Sequence, residues 1–215
     1  MKEIKIPKLY KKYFIDKNDE RKKLFENIKD LYKPEKGIYP GSFVHISPSF
    51  YIREMTYIDS DKRISKFFKD EDVLNFIKLN KIYYENPTIK ALQADFSSDL
   101  PIDEYSFDIL FSFFAGFISQ SCKKYLKNQG ILVCNNSHGD ASIAYTDGEY
   151  ELIAVIKRNG NNFSITDKDL DGYFIKKDGT SIDIEKVQKK MVGENFTKKG
   201  YAYVFKFHRN PKNDT

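Results

Sequence analysis

Five short apolar runs in this 215-residue chain close on residues able to hold a ligand: Gly41, Asp59, Asp95, Ser112 and Asn135. A glycine ending the first run lets backbone approach a bound molecule closely. A carboxylate 18 positions later, Asp59, can accept from both hydroxyls of a ribose, the arrangement nucleotide sites use at about 20 residues. Asp61 competes for that role, and Asp59 could equally cap the helix that follows. Asp95, ending the third run, can accept from an exocyclic amine such as adenine N6, or bind its own turn backbone. Phe96 next to it can lie against a base. Tyr39 and Ser42 flank the glycine, and with Ser112 they complete the expected nucleoside-binding set. His45 and His138 stand just beyond the first and fifth runs. An imidazole, with an ordinary pKa of about 6.5, suits removal of a proton from a hydroxyl or amine. The alternative for each is a loop histidine bonded to backbone. We read His45, Phe113, Asn136 and His138 as lining one concave site, with Asp140 placed to orient the second imidazole. The spacing of His45, His138 and Asp140 matches no standard metal motif, so no metal is expected.

These residues need a scaffold that brings run ends together. The runs are Gly37–Ser42, Met55–Ile58, Ile89–Ala94, Phe107–Ser112 and Ile131–Cys134. Nearly continuous apolar runs of this length are what strands buried on both faces look like. Helical spacing separates them, over 62–68, 71–80 and 118–128, the last ended by Gly130. Ser47-Pro48 predicts a late helix start between the first two strands. Another helix, 19–32, precedes the first run, capped by Asp16 or Asn18 and ended at Lys33-Pro34. Strands alternating with helices predict an α/β domain whose ligands sit beyond the carboxyl ends of a parallel sheet. Further on, Arg158-Asn159-Gly160-Asn161 predicts a hairpin. A helix over 183–191, with Ile184, Val187 and Met191 inward, and a strand over 201–207 follow. Residues 208–215 read as a frayed polar tail.

The strings Ile38-Tyr39-Pro40-Gly41-Ser42, Tyr57-Ile58-Asp59, Gln93-Ala94-Asp95-Phe96 and Ser106-Phe107-Asp108-Ile109-Leu110, with Gly130-Ile131-Leu132-Val133 after a helix, resemble the class I S-adenosylmethionine-dependent methyltransferases. Ser47-Pro48-Ser49-Phe50 and Asn136-Ser137-His138-Gly139-Asp140-Ala141 look like an uncharacterised subgroup of methyltransferase-like proteins. The resemblance spans residues 33–140. It implies a Rossmann-like methyltransferase fold, with helices on both faces of a mainly parallel sheet and an antiparallel C-terminal strand. It also implies S-adenosylmethionine as cofactor, held by Tyr39, Gly41, Ser42, Asp59, Asp61, Asp95, Phe96 and Ser112. His138 and His45 are then the expected catalytic pair, and Phe113, Asn136 and Asp140 the expected substrate contacts. The chain departs from the family pattern in carrying a single glycine in the first loop, with Pro40 before it.

Composition bounds the rest. At 40% apolar the chain can fill a core, and 36 basic against 31 acidic residues exclude a single-sign disordered tail. The organisation expected is a helical extension over 1–32 and one domain over 33–215. No stretch is long and apolar enough to span a bilayer, and Met1–Lys12 lacks the apolar region of a secretory signal. Two cysteines outside any Cys-x-x-Cys pair predict no disulfide and a reducing, cytoplasmic setting; Cys134, ending an apolar strand, reads as core. The expected function is methyl transfer to a small molecule. The alternatives are a ligand-binding protein of the same fold without turnover and, given a pI near 8.9, an RNA methyltransferase. A nicotinamide enzyme is disfavoured, because no G-x-G-x-x-G string occurs.

Overall fold

The five apolar runs lie side by side. In a computed structural model, which describes residues 5–210, they form β1 (Lys36–Pro40), β2 (Glu54–Asp59), β3 (Thr88–Gln93), β4 (Phe107–Ser112) and β5 (Leu126–Cys134). All four pairings among them are parallel. A hairpin, β6 (Tyr150–Asn159) and β7 (Asn162–Thr166), and a last strand, β8 (Ala202–Phe207), extend the sheet. The order is β3-β2-β1-β4-β5-β8-β6-β7. β8 slots between β5 and β6, antiparallel to both, as the methyltransferase resemblance implies. The fold is therefore Rossmann-like, and β1 and β4 flank the switch point. β1, β2 and β4 are buried along nearly their whole length. β3 is the edge, half exposed, with Lys90 in its middle to discourage pairing with another chain.

Side-chain alternation splits the core. Tyr39, Tyr57, Phe111 and Val133 point to one face. There they meet α1 (Lys8–Tyr10), a π-turn (Lys11–Ile15), α2 (Lys22–Tyr32), α3 (Arg63–Phe68) and α4 (Glu71–Asn80). Ile38, Leu110, Leu132 and Cys134 point to the other, under α5 (Ile118–Ser121) and α6 (Asp140–Thr146). α7 (Ile184–Lys190) packs outside α6, with Val187 against Gly139. The crossover from β1 to β2 holds only a 3-10 turn, Ser47–Phe50, in place of the expected helix. The face such a helix would cover is filled from the N-terminal segment, where Tyr10, Leu24, Phe25 and Ile28 are fully buried. Each such side chain contributes roughly 1.5–3 kcal/mol. Among the described residues, no helix is long and apolar enough to cross a membrane.

Several expectations change. The helix expected over 118–128 stops at Ser121; a 3-10 turn follows, and β5 begins at Leu126. Leu126 pairs with Phe107, and left-handed Gln129 and a register shift carry the strand past Gly130. Pairing with β4 thus overrides a helical spacing. α2 starts at Lys22 rather than Asp19, because Arg21 is left-handed, and no side chain caps it. α6, over Asp140–Thr146, is a helix the sequence reading does not anticipate. On α7, Val187 is buried, but Ile184 and Met191 face outward. Residues 208–210 are tied down: the His208 amide donates to the Glu149 carbonyl (2.7 Å), and Arg209 lies over the Tyr105 ring. The remainder of the expected tail, 211–215, and the first four residues lie outside the described residues.

Candidate active site

The parallel strands end together, and a cleft of about 420 Å³ opens there, lined by Gly41, Asp59, Ser60, Asp95, Phe96, Phe114 and Ala115. Its size falls within the range of small-molecule sites, about 300–1,000 Å³. The backbone is strained around it: Gly41 (φ 65°), Phe43 (46°), Phe114 (60°) and Gly116 (106°) are all left-handed. For two phenylalanines this is an unfavoured state that the surroundings must impose, and such residues cluster at ligand sites. The β1 ladder continues through the Gly41 amide, which donates to the Ile58 carbonyl (2.8 Å). Gly41 then turns so close to the loop after β4 that a Cβ on it would fall 2.1 Å from Ala115 Cβ.

The two carboxylates at the cleft are differently committed. Asp59 Oδ2 accepts from the Phe43 amide (2.7 Å) and Oδ1 from the Asp61 amide (2.9 Å), so it shapes the loops after β1 and β2. Each oxygen has a second lone-pair position. Asp95 is exposed, and its Oδ1 takes the Ser97 amide (2.9 Å) and hydroxyl (2.7 Å). Those hydrogen bonds lower its pKa, and Oδ2 has no partner among the described residues. An adenosyl group fits this donor set: carboxylate acceptors stand at the ends of β2 and β3, aromatic surface at Phe96 and Phe114, and bare backbone at Gly41. A larger groove, about 970 Å³, lies where Lys5–Leu9 cross α3 and α4, and no strand-end residue lines it.

Other predicted residues lie elsewhere. His45 is 1% exposed, stacked on Phe14 (4.2 Å between centroids) and edge-on to Phe25. Its Nε2 lies 3.0 Å from the Glu20 carbonyl, which can only accept, so Nε2 carries the proton and Nδ1 takes the Tyr39 hydroxyl (3.2 Å). Burial, then the nearby Arg21 cation, hold its pKa well below the usual value. It is a core histidine on the first face, whereas His138 leads into α6 on the second; the shared pocket is not formed. The His45 ring should stay neutral as pH falls through 6, which NMR of a labelled imidazole checks; an ordinary titration there would contradict the packing.

Tyr39 and Ser42 are buried at 2% and 3%, Tyr39 in the first core face and Ser42 with its hydroxyl donating to the Phe43 carbonyl (3.4 Å), and neither lines the cleft. Phe113 is buried too, beneath the Arg21 guanidinium (5.3 Å), and alternation leaves Phe114 outward in its place. Asp61 is bound by Arg63 in a bidentate pair that pulls its carboxyl down to about 2. Asn136 Oδ1 accepts the Ser142 amide and hydroxyl (both 2.9 Å), bracing α6. Ser112 donates to Asp140 Oδ2, and the Ser119 amide donates to Oδ1 (3.0 Å). Ser112 and Asp140 are thus an internal brace joining β4, α5 and α6, and burial raises the Asp140 carboxyl to about 6. Among the described residues, no three of His, Cys, Asp and Glu gather to hold a metal ion. Both cysteines are free and buried.

His138 is half-buried, with Nδ1 3.0 Å from the Ser137 hydroxyl. Ser137 Oγ donates to Asn135 Oδ1 (3.0 Å), which also faces the Phe114 amide at 3.4 Å. A polar chain therefore runs from the imidazole to the cleft wall. Asn135 is 5% exposed, and its Nδ2 has no partner. Phe114, which with Phe113 follows the fourth run and is expected at the mouth of the site, does line the cleft, whereas Ser60 and Ala115 line it unanticipated. Position one to three residues past a strand end is the available signal.

No family model and no curated protein matches the chain. Among solved structures, a SAM-dependent methyltransferase from Thermotoga maritima, described as a possible histamine N-methyltransferase, aligns at 9% identity. The alignment covers 94% of this chain and 95% of that one, with TM-score 0.49. A methyltransferase from Geobacter sulfurreducens aligns at 13% identity over 67% of this chain and 75% of that one, with TM-score 0.44. The strand order and the cleft stand on the chain's own geometry.

Proposed function

We propose that the cleft binds S-adenosylmethionine through its adenosyl half and that the protein transfers the methyl group to an acceptor. The observation that carries this is the convergence of left-handed Gly41 and the carboxylates of Asp59 and Asp95 on one cleft at the switch point. In this reading Asp59 accepts from the ribose hydroxyls, and Asp95 accepts from the adenine amine through its open Oδ2. Phe96 supplies apolar surface for the base. When bound, the cofactor brings an already activated sulfonium methyl, so the chain's work is mainly positioning. Phe114, 51% exposed, walls the side open to an acceptor. His138, held through Ser137 and Asn135, is the proposed proton acceptor. His45 has no part in it.

Calorimetry with S-adenosylhomocysteine tests the reading. Asp59→Ala should weaken binding by about 1–3 kcal/mol, the scale for hydrogen bonds to a charged group. Asp95→Ala should cost less, since Asp95 is exposed. Because Asp59 also holds the Phe43 amide, denaturation of the variant is measured alongside. Unchanged affinity in a folded Asp59→Ala protein, or no binding by the parent, rules the site out.

A further inference from the structure

The long connection between β7 and β8 returns to the cleft. Met191, left-handed at the end of α7, reaches its rim: a Cβ on Gly116 would lie 3.7 Å from Met191 Cε and 3.8 Å from Phe96 Cζ. Two residues on, Gly193 packs so tightly on Asn136 that a Cβ there would fall 2.2 Å from the Asn136 carbonyl. Glycine is needed for that contact, which joins the connection to the loop after β5. Immediately behind this seam lies a second pocket of about 440 Å³, whose walls include Lys176, Lys177, Lys186, Lys190, Val192 and Gly193.

Charge in this pocket is unbalanced. Four lysines line it against two carboxylates, Asp178 and Glu194, leaving +2. Glu194, 8% exposed, is shared by Lys176 (3.2 Å) and Lys186 (3.8 Å). Asp178 Oδ1 is taken by the Thr180 amide (3.1 Å) and hydroxyl (2.8 Å). Lys177 and Lys190 pair with no carboxylate among the described residues, and Lys190 sits in the last turn of α7. A phosphate monoester carries about −1.5 to −2 near pH 7, matching this surplus. Ammonium groups supply point charges suited to a phosphate without demanding one fixed orientation.

We propose that this lysine pocket holds a phosphate of the methyl acceptor, whose reacting part passes over Met191 toward Phe114. The proposal rests on the cleft being the transfer site, and it assigns the acceptor a class: phosphate-bearing molecules. Met191 and Val192, 47% and 57% exposed, form the apolar bridge between pocket and cleft.

Fluorescence and calorimetric titrations with uridine, uridine 5′-monophosphate and a short single-stranded RNA test it, using the full chain and Lys177→Glu/Lys190→Glu. The parent should bind at least one phosphorylated probe about tenfold more tightly than uridine, and charge reversal should remove that preference. Preference for RNA, with a salt slope of about −0.7 per phosphate contacted, supports the proposal and identifies a polymer. Preference for the monophosphate alone supports it and identifies a small acceptor. No phosphate preference, or one that survives charge reversal, overturns it. S-adenosylhomocysteine affinity should be equal in both proteins. Phosphate binding without S-adenosylhomocysteine binding would fail the transfer reading and leave the lysine site standing.

Discussion

Gly41→Ala should destabilise the protein by about 2–5 kcal/mol and abolish S-adenosylhomocysteine binding. Two costs combine. At φ 65° the backbone is left-handed, which costs a residue with a Cβ roughly 1–2 kcal/mol. The new methyl would also stand 2.1 Å from Ala115 Cβ, so one loop must move, an overpacking cost of typically about 1–3 kcal/mol. Both loops line the cleft, so any movement spoils it. The two costs separate by experiment. Gly41→Ala with Ala115→Gly removes the collision but keeps the backbone penalty, so urea denaturation should show part of the loss recovered. If the double variant is no more stable than Gly41→Ala, the close approach of the two loops is wrong.

Asp140→Asn should flatten the pH dependence of stability between pH 4 and 7. The buried carboxyl is raised from an ordinary 3.8 to about 6, chiefly by burial, with the Ser112 and Ser119 donors working against the rise. The folded chain therefore keeps this proton up to about pH 6, while the unfolded chain gives it up near pH 4. Its stabilising contribution is full below pH 4 and lost as pH rises through 6, a swing of about 3 kcal/mol for roughly two pKa units. Asparagine keeps the shape, accepts from the Ser119 amide and can donate to Ser112, but does not titrate. Below pH 4 both proteins should weaken alike, because Asp19, Asp108 and Asp147 have lowered pKa values and lose their stabilisation as they protonate. Denaturant titrations at several pH values check this. Parallel curves for the two proteins across pH 4–7 would show that Asp140 is ionised throughout.

The strands were legible because burial on both faces leaves little choice of residue: Ile38, Ile58, Leu110 and Leu132 had to be apolar in any parallel sheet with helices on both sides. Their carboxyl ends follow from chain order, since parallel strands finish on one edge. That is why Gly41, Asp59, Asp95 and Phe96 could be placed together from spacing alone, and they do line one cleft. The face taken by a loop residue obeys no such rule. His45 follows the first strand as His138 follows the fifth, yet the loop after β1 folds under Phe14 and Phe25 because the N-terminal segment supplies an apolar wall. Periodicity does not encode that wall, which comes from residues more than 15 positions away in the chain. Phe113 and Phe114 are adjacent and chemically identical, and the tertiary structure buries the first at 2% and leaves the second, left-handed, 51% exposed at the cleft. Ser112 and Asp140 have the residue types of a ligand site. They become a brace because the fold brings Ser112 directly onto the Asp140 carboxylate, which also takes the Ser119 amide of α5. Local pattern determined the sheet and its edge, since backbone pairing and burial act along the strand. Which polar groups meet a ligand, and which meet each other, was decided only when distant segments closed over the two faces and took some of those groups out of water.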